Sequence, residues 1–343
     1  MANAPGGLIA AGMVPGGAVG NELAAITRRA FIPNVIVQLY QASPTLNILM
    51  RSAQRAKGGV GQITVPVQGQ SFVSAEWIDF GGNFTQPNDT TGLQDAAANV
   101  CVLAIPISFM GMEALIQESE AIIPRLKAKM ADIRNVAVQS LSTALFNFNL
   151  SALVMNGLPQ AYDNGTGLST IYANIDRSVA ANAFWKGQET ANFAASPTRA
   201  NMSVLIQATA AGAGGEAPDL VIMAPPDWAT LMGDFQTMER YDNAPGSKWN
   251  RDQPANSGFR ALQLGDTNIV SDLYCPTGTC YMVNTKYFAM YISDSARFAF
   301  SGFYSAIPNF QIANIGLMSV GIQTLGVKPV SGRKVLGITG ASF

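Results

Sequence analysis

Residues 123–149 read IPRLKAKMADIRNVAVQSLSTALFNFN. Leu126, Met130, Ile133, Ala137, Leu141, Leu145 and Phe148 recur at spacings of three or four, the signature of one apolar helical stripe. Arg125, Lys129, Asp132 and Gln139 occupy the opposite face. Pro124 suits a first turn, where its missing N–H costs nothing. A helix of this length spans roughly 40 Å at about 1.5 Å per residue, over twice the usual length. One apolar stripe predicts a spine that a sheet packs against. A coiled coil would need more heptads than the pattern spans.

The period changes before this helix. Lys57-Gly58-Gly59 marks a break, after which Ile63, Val65 and Val67 alternate with Gln62 and Thr64, a strand signal. Phe72 to Phe80, containing Trp77, reads as a second strand-like run. Gly81 to Asp95 reads as a polar loop, and Val100 to Ile107 as the returning strand. Together they predict a long two-stranded ribbon with an open tip, Pro66 and Pro106 lying at edges or strand ends. Such a ribbon is marginal in water by itself and needs a surface to lie on. No Lys or Arg occurs between Gly58 and Pro124, whereas Glu76, Asp79, Asp89 and Asp95 sit in the ribbon. The preceding segment carries Arg28, Arg29, Arg51, Arg55 and Lys57. The charges predict an acidic ribbon docking on the basic patch of an adjacent copy, with Trp77 and the Arg125 and Lys129 face of the helix also at contacts; a solvated hairpin within one domain is the alternative. Residues 1–20 carry no charge and many Gly, Ala and Pro, and predict an extended arm. Asn21 caps a short helix to Arg29, and Ser43-Pro44 opens another.

After the spine, Asp163-Asn164-Gly165-Thr166-Gly167 is loop. Ser196-Pro197 starts a helix that stops at Gly212. Pro218-Asp219 leads into a strand at Leu220 to Ala224. Pro225-Pro226-Asp227-Trp228 opens a helix ending near Gly233. Strands follow at Thr267 to Val270 and Tyr281 to Asn284, and Phe310 to Val327 reads as paired strands. The class is α+β.

Composition narrows the function. Of 343 residues, 48% are apolar and only 13% charged, against about 25% in an average soluble domain. A free monomer keeps a charged surface, so this balance predicts surface that ends against other protein, although a low-charge enzyme shares it. The formal net charge of −1 and the lack of a polybasic run argue against gripping nucleic acid. There is no histidine, which excludes Ser-His-Asp and Cys-His nucleophiles, a histidine base and most zinc sites. Cys101, Cys275 and Cys280 are an odd set and read as reduced thiols. Gly212-Ala213-Gly214-Gly215 follows a helical stretch, the wrong context for a dinucleotide loop. No signal peptide or membrane span is expected, nor any cofactor or metal. Asp176 beside Arg177, or Asp227 beside Trp228, are the pairs an enzyme reading would choose. Adjacent Asp and Arg more often form a local salt bridge, and Trp185 and Trp228 are more often core than ligand platforms.

Phe31-Ile32-Pro33 with Gln38-Leu39-Tyr40, Gly111-Met112-Glu113-Ala114 with Ile123-Pro124-Arg125-Leu126, and Gly157-Leu158-Pro159 occur in that order. Ile175-Asp176-Arg177-Ser178, Trp185, Pro218-Asp219-Leu220-Val221, Pro226-Asp227-Trp228 and Asn284-Thr285-Lys286-Tyr287 follow. In this order the chain resembles the major capsid proteins of tailed bacteriophages, of the Hong Kong 97-type fold, over nearly its whole length. The resemblance implies an arm at 1–56 and an extended loop at 57–110. It implies a peripheral domain of 111–155 and 306–343 on the spine helix, and an axial domain at 156–305. It also implies hexamers and pentamers in an icosahedral shell around double-stranded DNA, with portal, terminase, scaffolding and cement proteins as partners. Ala173-Asn174 stand where the subgroup of these capsid proteins that the chain resembles usually has Gly-Gly, which predicts a differently shaped turn. The ribbon has no Lys, so no isopeptide cross-link through a ribbon lysine is expected. An encapsulin-type nanocompartment resembles the same fold and is the nearest rival.

Overall fold

The computed structural model describes residues 14–15, 43–56, 61–69, 77, 92–110, 119–149, 151–166, 170–239, 261–294, 296–305 and 313–339. Two six-stranded sheets organise them. In the first, β15 (Ala313–Gly326) is central. β5 (Cys101–Met110) pairs antiparallel with its residues 313–322. β13 (Phe288–Ser293) and β14 (Ala299–Ser305) pair with it over segments that overlap those of β5, so they lie end to end along its other edge. β1 (Val14–Pro15) pairs with β14, and β2 (Gln54–Ala56) runs parallel to β13. Phe310 to Val327 is therefore one long strand over its described part, not the expected pair. It contains no turn sequence, and partners on both edges hold it extended. Pro106 sits on β5, where only the β15 edge is paired among the described residues, the place a residue without an N–H tolerates.

The second sheet runs β10 (Ala261–Leu264), β11 (Thr267–Ser271), β9 (Leu220–Met223), β12 (Thr279–Val283), β16 (Arg333–Leu336), β8 (Gln188–Thr190). β9 and β12 are buried at every position. Alternation divides their side chains: Leu220, Ile222, Tyr281 and Val283 join a large core with the first sheet. Val221, Met223, Cys280 and Met282 pack under two helices. Both faces are covered, so the strands read as continuous apolar runs. The strand pairings cross the boundary at residue 305 implied by the resemblance: β13 and β14, before it, belong to the first sheet, and β16, after it, to the second.

The helices keep most expected positions with shifted ends. α1 (Pro44–Arg51) is capped by Ser43, whose side chain accepts from Leu46 N. The spine, α2 (Ser119–Phe146), starts before Pro124, which lies in its second turn. A proline there forfeits one backbone bond, which the length of the helix outweighs. Ile133, Ala137, Val138, Leu141, Leu145 and Phe146 are buried. The helix stops short of Asn149 because Asn149 Nδ2 turns back to the Ala144 carbonyl at 2.8 Å. A short helix, α3 (Leu158–Ala161), follows. α4 (Arg199–Gly212) takes Thr198 as its cap, not Ser196. α5 (Pro225–Glu239) runs through Gly233, because Leu231, Met232 and Phe235 keep packing on the sheet.

The ribbon is β3 (Gln62–Gln68) paired antiparallel with β4 (Leu93–Asn99). The return strand starts at Leu93, inside the expected polar loop, and ends at Asn99, while Cys101 to Ile107 of the expected return strand belongs to the first sheet. Alternation explains this: Ala96 and Ala98 face inward with Ile63 and Val67, and small side chains let the strand approach the body closely. The expected run at Phe72 to Phe80 lies outside the described residues apart from Trp77, and so does the helix at Asn21 to Arg29.

Candidate assembly interface

The ribbon is fastened at its root. A hairpin of β6 (Ile171–Tyr172) and β7 (Ile175–Asp176) turns through Ala173 and Asn174. Both hold left-handed backbone, φ +48° and +66°, as a primed two-residue turn requires. Ala173 thus takes a left-handed conformation that its Cβ disfavours. The Ala173 carbonyl accepts the Ala97 amide of the ribbon at 2.8 Å. Gln94 Nε2 donates to Asn182 Oδ1 at 2.8 Å. Gly69 lies so close to the Phe184 ring that a Cβ there would stand 2.2 Å from it.

Beneath this hairpin Arg177 is fully buried. Its Nη1 and Nη2 donate to the carbonyls of Gln160 and Ala161, both at 2.8 Å, and its Nε to the Trp185 carbonyl at 3.0 Å. Gln160 and Ala161 end α3, where carbonyls lack helical partners and the dipole favours a cation. The guanidinium also lies over the Tyr172 ring, 4.6 Å from its centre. Desolvation lowers the Arg177 pKa to about 10, so it remains a cation at neutral pH. Trp185 is buried and its Nε1 donates to the Tyr172 carbonyl at 2.9 Å. Ile175 is buried beside them. Asp176 does not pair with Arg177. Its Oδ1 accepts from the Ser178 hydroxyl at 2.7 Å and amide at 2.8 Å, which hold its carboxyl below the usual range.

The second pair is also architectural. Asp227 is buried and Oδ2 accepts the Gly278 amide at 2.8 Å, tying α5 to the turn before β12. Burial raises its carboxyl pKa, and the Gly278 bond opposes that. Trp228 is buried and Pro226 half-buried. Burial raises the pKa of all three cysteine thiols, which keeps them protonated. Among the described residues no group of three metal-ligating side chains converges. No helix among them is long and apolar enough to cross a membrane.

Only some of the expected contact residues lie among the described residues. Arg51 and Arg55 are exposed, and Arg55 Nε stands 4.0 Å from Asp294. That exposed pair is weak. Lys129 Nζ donates to the Ser108 carbonyl of β5 at 2.7 Å, within the chain. Arg125 lies on α2. Trp77 is fully exposed. Arg28, Arg29, Glu76, Asp79 and Asp89 lie outside the described residues. Sequence reading missed an apolar groove of about 440 Å³ between β5, the C-terminal half of α2 and the loop after it. Leu153, 83% exposed, and Val102, 52% exposed, stand at it. Its signal was the run Leu153-Val154-Met155, three apolar residues in a loop.

No family model matches the sequence, and no curated protein matches it. Solved structures do match. A chain of the cyanophage A-1(L) capsid asymmetric unit aligns with a TM-score of 0.65 at 15% identity, over 87% of this chain and 93% of that one. A chain of the capsid of a native GTA particle aligns at 0.50 and 10% identity, over 85% and 90%. A chain of Mycobacterium phage Patience aligns at 0.50 and 10% identity, over 94% and 90%. With its ribbon, spine helix and two sheets, this chain has the fold of tailed-bacteriophage capsid subunits.

Proposed function

We propose that this chain is the major capsid protein of a tailed bacterial virus. It self-assembles in the bacterial cytosol into hexamers and pentamers of an icosahedral shell that encloses double-stranded DNA without sequence-specific grip, and it performs no catalysis. The observation that carries the reading is the match to a cyanophage capsid chain over nearly the full length of both chains. The low charge, the ribbon and the exposed Trp77 support it, since each asks for neighbouring protein. Portal, scaffolding and cement proteins complete the partner set, and the virion is its place. The chain is divided into arm, extended loop, peripheral lobe and axial lobe, with the two lobes sharing strands across residue 305 and the loop ending where β5 enters the first sheet. In assembly the acidic ribbon lies on the Arg51 and Arg55 side of an adjacent copy. Strength comes from many modest contacts repeated by symmetry.

Sedimentation velocity of the chain expressed alone tests this. Particles of megadalton size are expected. A monomer or dimer that persists with crowding agents and at raised salt would overturn the reading. Nuclease-protected DNA in particles from infected cells separates it from a protein-loaded compartment.

A further inference from the structure

Besides its packing on the core and the Gln323 Nε2 bond to the Asn99 carbonyl at its root, the ribbon is held by three contacts that fall on residues 173–184. Ala173 accepts the Ala97 amide, Asn182 accepts from Gln94, and Phe184 abuts Gly69. This segment is short of regular structure: two two-residue strands and one 3-10 turn at Ala180–Trp185. Something else must stiffen it. Arg177 joins the Trp185 carbonyl at its far end to α3, and stacks on Tyr172 at its near end. Trp185 Nε1 closes the loop on the Tyr172 carbonyl, and Asn182 Nδ2 donates to the Asp176 carbonyl at 2.7 Å. A guanidinium carrying three main-chain bonds in a buried site is costly to desolvate. Its geometric return is a fixed planar fork that no other side chain supplies.

Building on the shell reading, we propose that Arg177 is a positioning residue for assembly. It braces the segment 172–185 on which the ribbon is seated, and so sets the angle at which the ribbon reaches a neighbouring copy. Loss of the brace leaves the ribbon formed but loosely aimed, and loosely aimed ribbons close shells of uneven curvature.

Hydrogen exchange and electron microscopy on the full chain test this with Arg177→Lys, which keeps the charge but not the fork, and with Asn182→Ala and Gln94→Ala. Within residues 93–100 the Ala97 amide, which bonds the Ala173 carbonyl and not the other ribbon strand, is expected to exchange about tenfold faster in all three, while amides bonded across the ribbon keep their rates. Those of β9 and β12 are expected to stay at wild-type rates, and particle diameters to broaden. Unchanged exchange at Ala97 in Asn182→Ala and Gln94→Ala would overturn the proposal. Equal acceleration of β12 and the Ala97 amide in Arg177→Lys would do the same, because it marks a general structural role. So would a loosened ribbon with wild-type diameters. If the wild type forms no particles, the shell reading and the assembly role fail together. The exchange data still decide whether Arg177 aims the ribbon.

Discussion

Ala173 holds φ +48° at the point where the ribbon meets the body. The left-handed region costs a residue with a Cβ roughly 1–2 kcal/mol. Ala173→Gly relieves that strain and is expected to raise stability by about 1 kcal/mol after the added chain entropy of glycine. A urea-unfolding series on dissociated subunits checks it. A lower midpoint would mean that the buried Ala173 methyl contributes more than the strain removes. Asp227 makes a pH-dependent prediction. Burial raises its carboxyl pKa in the native state, so the native state holds that proton more tightly than the unfolded chain does. The associated stability is fully present below the unfolded value and is lost as pH rises through the native one. Asn in its place still accepts from Gly278 and does not titrate. Between pH 3 and pH 7 the difference in unfolding midpoint should therefore move in favour of Asp227→Asn. A gap that stays constant, or moves the other way, contradicts the assignment.

Two glycines separate packing from propensity at the scale of the element. Gly233 lies inside α5 with open space at its Cβ position. Gly233→Ala is expected to stabilise by about 0.5–1 kcal/mol, the helix-propensity difference. A Cβ at Gly187 would stand 2.3 Å from the Tyr162 backbone, so Gly187→Ala should lower the thermal midpoint sharply. Similar shifts for both would show that the close approach at Tyr162 is absent. The spine helix was legible because its stripe repeats over many turns, and β9 and β12 because apolar runs there are bounded by turns. The return strand of the ribbon was not, because Ala96, Ala97 and Ala98 carry little strand propensity and earn their place by close approach to the body. The role of Arg177 was not legible either. Its partners are main-chain carbonyls, which leave no mark in the sequence, and the neighbouring Asp176 suggested a pairing that Ser178 pre-empts.

For the whole molecule, the low charge, and among the described residues the exposed Trp77 and the open groove, are features that neighbours in the proposed shell would cover. The proposed acidic ribbon adds a dependence on ionic strength. Glu76→Lys with Asp79→Lys is expected to slow assembly, with light scattering as the readout, and more so at low salt, where screening is weak. Normal shells from that variant at low and high salt would remove the electrostatic contact while leaving the fold intact.

The proposed function turns on self-assembly into a closed shell. Negative-stain electron microscopy of the size-fractionated protein, expressed alone in a bacterial cytosol, tests it most directly. Closed shells or capsomer-sized rings are expected. A field of uniform single subunits, unchanged by crowding agents and raised salt, would contradict it.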